Sequence, residues 1–215
     1  EAIDPVRYIS NHSSGRQGLA LAQAAAAAGA DVILVAGPKV PVCEAAVTRI
    51  DVTSALDMQA AVMQHLGRVD IFIGVAAVAD YRPAQAESQK MKRSGAERAT
   101  LTIELVENPD IIKGVAQATN RPALVIGFAA ETNDTHKHAR EKLTRKGLDA
   151  VVVNDVSNPD IGFNSEQNAA TLIYAEGEVT FAQQSKLALS RRLIDELAAI
   201  FAPQLEDTNP QSVTQ

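Results

Sequence analysis

Four short stretches of the chain, 32–36, 70–77, 123–128 and 149–154, are apolar almost without a break. A strand with one wet face alternates polar and apolar residues, whereas a strand covered on both faces does not. These stretches therefore read as buried strands. Helical patterns lie between and after them. Residues 19–28 are nearly all alanine and leucine and stop at Gly29, which predicts a helix apolar on all sides. Thr53 or Ser54 caps a second helix running to about Leu66, and Asn108 and Pro109 open a third that ends near Ala118. Residues 135–146 form a polar helix ended by Gly147, and 185–201 form a closing amphipathic one. Segments 171–174 and 179–182 flank Glu176-Gly177-Glu178 as a hairpin. The alternation predicts an α/β fold of three layers: a Rossmann-like, mostly parallel sheet with helices on both faces, plus a small β-hairpin near the C-terminus. One domain is expected over 1–202, with a disordered polar tail over 203–215.

Composition narrows the function classes. The 215 residues carry a formal net charge of -6, which argues against nucleic acid or an anionic membrane as partner. Aromatics are 4% and Trp is absent, so platforms for stacking single-stranded bases are not expected. Cys43 is the single cysteine, and no stretch reads as a signal peptide or bilayer span. A reducing, cytoplasmic setting follows. The four histidines show no zinc spacing. The chain starts at Glu1 rather than Met and runs at once into a functional-looking loop, so it reads as a piece of something longer.

Ligands of such sheets bind beyond the carboxyl ends of the strands. Residues 10–18 read Ser-Asn-His-Ser-Ser-Gly-Arg-Gln-Gly just before the first helix. Ser10, Ser13, Ser14, Gly15 and Gly18 make a phosphate loop: the glycines admit close backbone approach and the helix amides favour an anion. The same residues would also serve as a serine-rich helix cap. Two features speak against NAD. No strand precedes the loop within the chain, and Val35-Ala36-Gly37-Pro38 offers no acidic residue for a ribose.

Gly74, Val75, Ala76 and Ala77 leave room for a flat base or an acyl group, and Asp80 follows as a ligand for a ribose hydroxyl or Mg²⁺, or as an ordinary turn residue. Lys90-Met91-Lys92-Arg93 is a basic run in a polar, structureless stretch: either a solvated face or a flap closing on a triphosphate. Asn108, Pro109, Asp110 and Ile111 open a helix, which capping alone would explain. Phe128 ends a strand where a base could stack, or is a core residue. Lys142 and Lys146 share a helix face, where the dipole already favours them. Asn154-Asp155 ends a further strand.

Together the segments resemble the bacterial phosphopantothenoylcysteine synthetase family of coenzyme A biosynthesis. The resemblance rests on residues 4–15 (Asp-Pro-Val-Arg-Tyr-Ile-Ser-Asn-His-Ser-Ser-Gly), 76–81, 90–92, 108–111, 127–132, Asn154-Asp155 and 162–164, in order, over about 4–200. It implies a ligase that activates the carboxylate of 4′-phosphopantothenate with CTP and Mg²⁺ as an acyl-cytidylate, which the cysteine amine then attacks. By position it implies CTP contacts at Gly74, Val75, Ala76, Asp80, Lys90, Asn108, Pro109, Asp110, Ile111, Phe128, Lys142 and Lys146. Asn11 and Lys90 take catalytic roles, with Arg7, Asn11 and Ala77 toward phosphopantothenate. It also implies a homodimer, and a flavin-dependent decarboxylase domain in the intact protein, so that this chain itself needs no FMN. The family carries a strand and a Gly-Pro-Thr-Arg turn ahead of the position of Glu1, and a Lys where Arg93 stands here. A Rossmann-type NAD(P) oxidoreductase and a non-catalytic nucleotide-binding module are the alternatives. The first lacks its acidic ribose ligand, and the second does not need Asn11, Asp80 and Lys90.

Overall fold

The computed structural model describes residues 1–92, 100–131, 135–155 and 165–207. Its main sheet has five strands. β3 (Ile71–Gly74), β6 (Leu124–Glu131) and β7 (Ala150–Asp155) run parallel, and β8 (Gln167–Tyr174) and β9 (Glu178–Ser185) continue the sheet antiparallel, in the order β3-β6-β7-β8-β9. The sheet is therefore mixed, not mostly parallel. The connection from Asp155 to Gln167 is short for a parallel crossover, which takes about a dozen residues or more, and the next strand returns alongside its predecessor. The hairpin expected near the C-terminus is longer than its turn signal suggested and forms the sheet's far edge.

Side chains of the central strands divide between two cores. Leu124 and Ile126 pack with Leu21 of α1 (Arg16–Ala27) and with Leu189, Leu193 and Leu197 of α5 (Lys186–Asp207). Val125, Val151 and Val153 pack on the other face, against Val62 of α2 (Ala55–His65), Val115 of α3 (Ile111–Ala116) and Ala139 of α4 (Thr135–Lys146). Helices thus cover both faces, which is why these strands show no alternation.

Several boundaries differ from the sequence reading. Only Ala20, Leu21, Ala22 and Ala24 of α1 are buried among its residues, so it has one inward face rather than an apolar circumference facing protein. α3 is capped by Asp110, not Asn108, with the Asp110 carboxylate accepting from the Lys113 amide at 3.2 Å. α5 continues through Pro203 to Asp207, beyond the start of the expected tail, and 208–215 lie outside the described residues. Two small units complete the fold. β1 (Ile33–Ala36) pairs parallel with β2 (Thr48–Asp51), and β4 (Tyr81–Pro83) pairs antiparallel with β5 (Leu105–Glu107). The second unit closes the base of the stretch that carries Lys90, which the sequence reading had left without structure.

Gly74 and Gly127 lie side by side in the β3–β6 register. A Cβ at either would come to 3.0 Å from Ile112 Cδ1. Their smallness lets α3 settle onto the sheet, which brings 108–111 to the carboxyl ends of the strands.

Candidate functional site

A cleft of about 680 Å³ opens between the β1–β2 pair and the β3 edge, over the start of α1. Its walls include 9–19, Leu34 and Val35 of β1, 37–40, Val75 to Ala79 after β3, Phe128 and Asn154. Ligands of α/β sheets sit in such a place. Ser10, Asn11, Ser13, Ser14, Gly15, Gly18, Val75, Ala76, Ala77 and Phe128, all singled out in the sequence, are brought together here.

The loop enters α1 through Gly15, the N-cap residue, in the left-handed conformation with φ 69°. Gly15 caps no amide through a side chain, and Ser13 Oγ is turned to the Gly15 amide at 3.4 Å rather than to the first turn of the helix. Ser13 thus does not cap the helix through its hydroxyl. The α1 amides and helix dipole face the cleft, the arrangement that attracts an anion. A Cβ at Gly15 would lie 2.7 Å from Val40 Cγ2, so the turn is held against the loop that follows β1.

Hydrogen bonds tie the loops of the cleft to neighbouring elements. Asn11 donates from Nδ2 to the Val78 carbonyl at 3.1 Å, joining the phosphate loop to the small-residue loop after β3. Asn108 is buried and donates to the Ala79 carbonyl at 2.9 Å, while its own amide donates to the Asp80 carbonyl at 2.7 Å. Two bonds therefore set the curve of 76–80. Lys146 and Asp110 form an ion pair at 2.8 Å. Burial pushes the Asp110 carboxyl up, but the Lys146 ammonium and the Lys113 amide more than offset it and hold it below its ordinary range. Lys142 donates to the Phe128 carbonyl at 2.7 Å, at the cleft wall. Gly74, Asp80, Lys90, Asn108, Pro109, Asp110, Ile111, Lys142, Lys146 and Arg7 do not line the cleft itself. Arg93, Thr132 and 162–164 lie outside the described residues.

The structure adds residues that sequence reasoning missed. Lys186 is 7% exposed and lines the cleft with Asn168 and Gln17. Burial, and next the nearby Arg16, push its ammonium down from the ordinary lysine value. Asn168 donates to Gln17 Oε1 at 3.0 Å, and Gln17 donates to Ser190 Oγ at 3.0 Å. These residues converge from α1, β8 and α5, and no local motif unites them. Lys39, also at the cleft, stands 5.7 Å from the Tyr8 ring centroid. β1 runs out into Gly37 and Pro38, so no carboxylate stands there for a dinucleotide ribose. Among the described residues no group of three or more His, Cys, Asp or Glu side chains could hold a metal ion, and no helix is long and apolar enough to cross a membrane.

Fold and site define a mixed α/β domain with a cleft at the strand ends beside the α1 N-terminus. Residues 1–201 match the model of the DNA/pantothenate metabolism flavoprotein C-terminal domain, and the chain belongs to that family. It is 53% identical over 190 residues to the coenzyme A biosynthesis bifunctional protein CoaBC of Vibrio cholerae, covering 88% of this chain and 47% of that one. It is 48% identical over 197 residues to CoaBC of Escherichia coli, covering 92% and 48%. The chain thus spans about half the length of the curated relatives it matches. The crystal structure of the C-terminal domain of CoaBC superposes with a TM-score of 0.77 at 33% identity, covering 94% of this chain and 92% of that one. A Cab2 mutant in complex with phosphopantothenate-cysteine shares the fold, with a TM-score of 0.73 at 14% identity over 96% of this chain and 84% of that one.

Proposed function

We propose that this chain is the CTP-dependent phosphopantothenate–cysteine ligase portion of a coenzyme A biosynthesis protein. The observation that carries the reading is a cleft with two ends. One is the α1 N-terminus behind Gly15, suited to phosphate. The other is the small-residue loop 75–79, suited to an acyl group beside the backbone. Asn11 ties one to the other.

The chemistry requires both ends. A carboxylate does not accept an amine while its leaving group is oxide. Attack of the 4′-phosphopantothenate carboxylate on the CTP α-phosphorus forms an acyl-cytidylate and expels pyrophosphate. The cysteine amine then adds to the acyl carbon, CMP leaves, and the amine proton passes to solvent or a nearby base. The α1 amides and Lys90 stabilise charge that grows on the phosphates, and such prepositioned donors act on the transition state. Asn108, through its bonds to Ala79 and Asp80, holds the loop against which the base and acyl group lie. Asn11 carries an amide donor to the acyl-cytidylate. Asp80 is exposed at the loop's end, and as a single carboxylate it fits a Mg²⁺ held mainly by nucleotide phosphates and water. Bound there with the nucleotide, Mg²⁺ would supply electrostatic stabilisation of the leaving pyrophosphate.

The cytoplasm, a homodimer and a flavin-dependent decarboxylase domain in the intact protein belong to the same reading, as does the expectation that this chain binds no FMN. The test is pyrophosphate release that requires CTP and phosphopantothenate together and is abolished by Lys90→Gln. Equal rates with ATP would remove the CTP assignment.

A further inference from the structure

Asp4 is the least accessible acidic residue of the N-terminal segment: its side chain has 0% exposure. Oδ1 accepts the amides of Val6 and Arg7, both at 2.8 Å. Oδ2 accepts Arg7 Nε at 2.9 Å, Arg7 Nη2 at 2.5 Å and the Met91 amide at 3.2 Å. Five donors on two oxygens leave the carboxylate no capacity for a ligand. It can position other groups but not bind substrate.

What it positions is specific. Arg7 Nη2 also donates to the Met91 carbonyl at 3.1 Å, so the amide and the carbonyl of Met91 are both held by the Asp4–Arg7 pair. Met91 is the residue between Lys90 and Lys92. A second strut, from the Glu87 amide to the Ile3 carbonyl at 2.9 Å, fixes the same stretch further back. The backbone at Lys90 is thereby tied to the segment that leads into Ser10 and Asn11, while the Lys90 side chain itself stays exposed. A surface ion pair four residues long would contribute little. This one is built around a desolvated carboxylate, and breaking it would strand that charge.

We propose that Asp4 is a positioning residue that clasps Arg7 to the Lys90 backbone, setting the acyl-substrate cation and the leaving-group lysine in one register. The proposal rests on the ligase reading above. Asp4→Asn replaces one carboxylate oxygen by a donor facing other donors, at constant volume. In the intact protein that contains this chain, it lowers kcat for pyrophosphate release about 100-fold, the scale of a small misplacement of reacting groups. KM for CTP changes less than about threefold, because Lys90 acts mainly on charge that grows on the leaving phosphates in the transition state. Asp4→Asn combined with Arg7→Lys is no worse than the poorer single variant, because both break one unit. Additive losses in the double variant, or a kcat equal to wild type in Asp4→Asn, overturn the clasp. If Asp4→Asn does not fold, Arg7→Lys is read alone: a fall in kcat supports the clasp. A change confined to KM for phosphopantothenate makes Arg7 a binding residue only and overturns it. Wild-type protein that releases no pyrophosphate with CTP and phosphopantothenate overturns the ligase reading, and the clasp with it. An active wild type with an unaffected Asp4→Asn overturns the clasp alone.

Discussion

Asn11 makes one hydrogen bond that joins two loops 67 residues apart in the chain. In Asn11→Asp that donor becomes an acceptor facing the Val78 carbonyl. The second half-reaction then slows more than the first, and an acyl-nucleotide accumulates that mass spectrometry of quenched reactions detects. Gly15 shows a different constraint. At φ 69° with Val40 at 2.7 Å from a built Cβ, Gly15→Ala destabilises the protein by roughly 1–2 kcal/mol in urea unfolding. At this scale the sequence was legible where chemistry sits in a local motif. Asn11, the serines and Gly15 could be placed in one loop, but a helix cap and a phosphate cradle use the same residue types, so their sequence alone does not separate the two. Lys186 was not legible. A lysine at a helix start reads as solvated, and its burial depends on α1 and β8, distant in sequence.

Helix α2 begins with a capping box: Ser54 Oγ accepts the Asp57 amide at 3.1 Å, and Asp57 accepts the Ser54 amide at 3.0 Å. The bond to Ser54, and next that to Thr53, hold the Asp57 carboxyl below its ordinary range. A group whose folded pKa is lowered adds stability above the unfolded pKa and loses it as pH falls through the folded value. Ser54→Ala therefore costs about 1 kcal/mol near neutral pH. In thermal unfolding at stepped pH, its deficit against wild type narrows below about pH 4. The elements the sequence missed share a cause. β2 reads Thr-Arg-Ile-Asp and β4 ends in proline, so neither carries an apolar run, and their pairing comes from partners elsewhere in the chain. Asn108-Pro109 reads as a helix start with Asn108 as its cap. Asp110 caps instead, which leaves Asn108 to hold the 79–80 turn.

In the whole molecule, the mixed sheet separates scaffold from site. The antiparallel β7-β8-β9 half packs with α5 into the deepest part of the core, and Leu193, 1% exposed, sits in it. Leu193→Ala costs roughly 2–5 kcal/mol in denaturant unfolding, with little change in KM for CTP. The parallel half brings its strand ends and the α1 N-terminus to one cleft. Its burial on both faces was legible in the unbroken apolar runs, and its parallel order in the helices that alternate with them. The antiparallel hairpin was legible in part through its Glu-Gly-Glu turn, but its extension over 167–185 and its pairing with β7 were not, because the added residues are mixed in polarity and their partner strand is distant in sequence. In the proposed reaction the cleft joins a nucleotide to an acyl acid before the amine arrives. The direct measurement is pyrophosphate release by the intact protein that contains this chain, with CTP or ATP, with and without phosphopantothenate, and with cysteine withheld. A burst with CTP and phosphopantothenate is expected before cysteine is added, together with a cytidylate-linked acid by mass. Pyrophosphate release without the acid, or none until cysteine is present, would contradict that reaction.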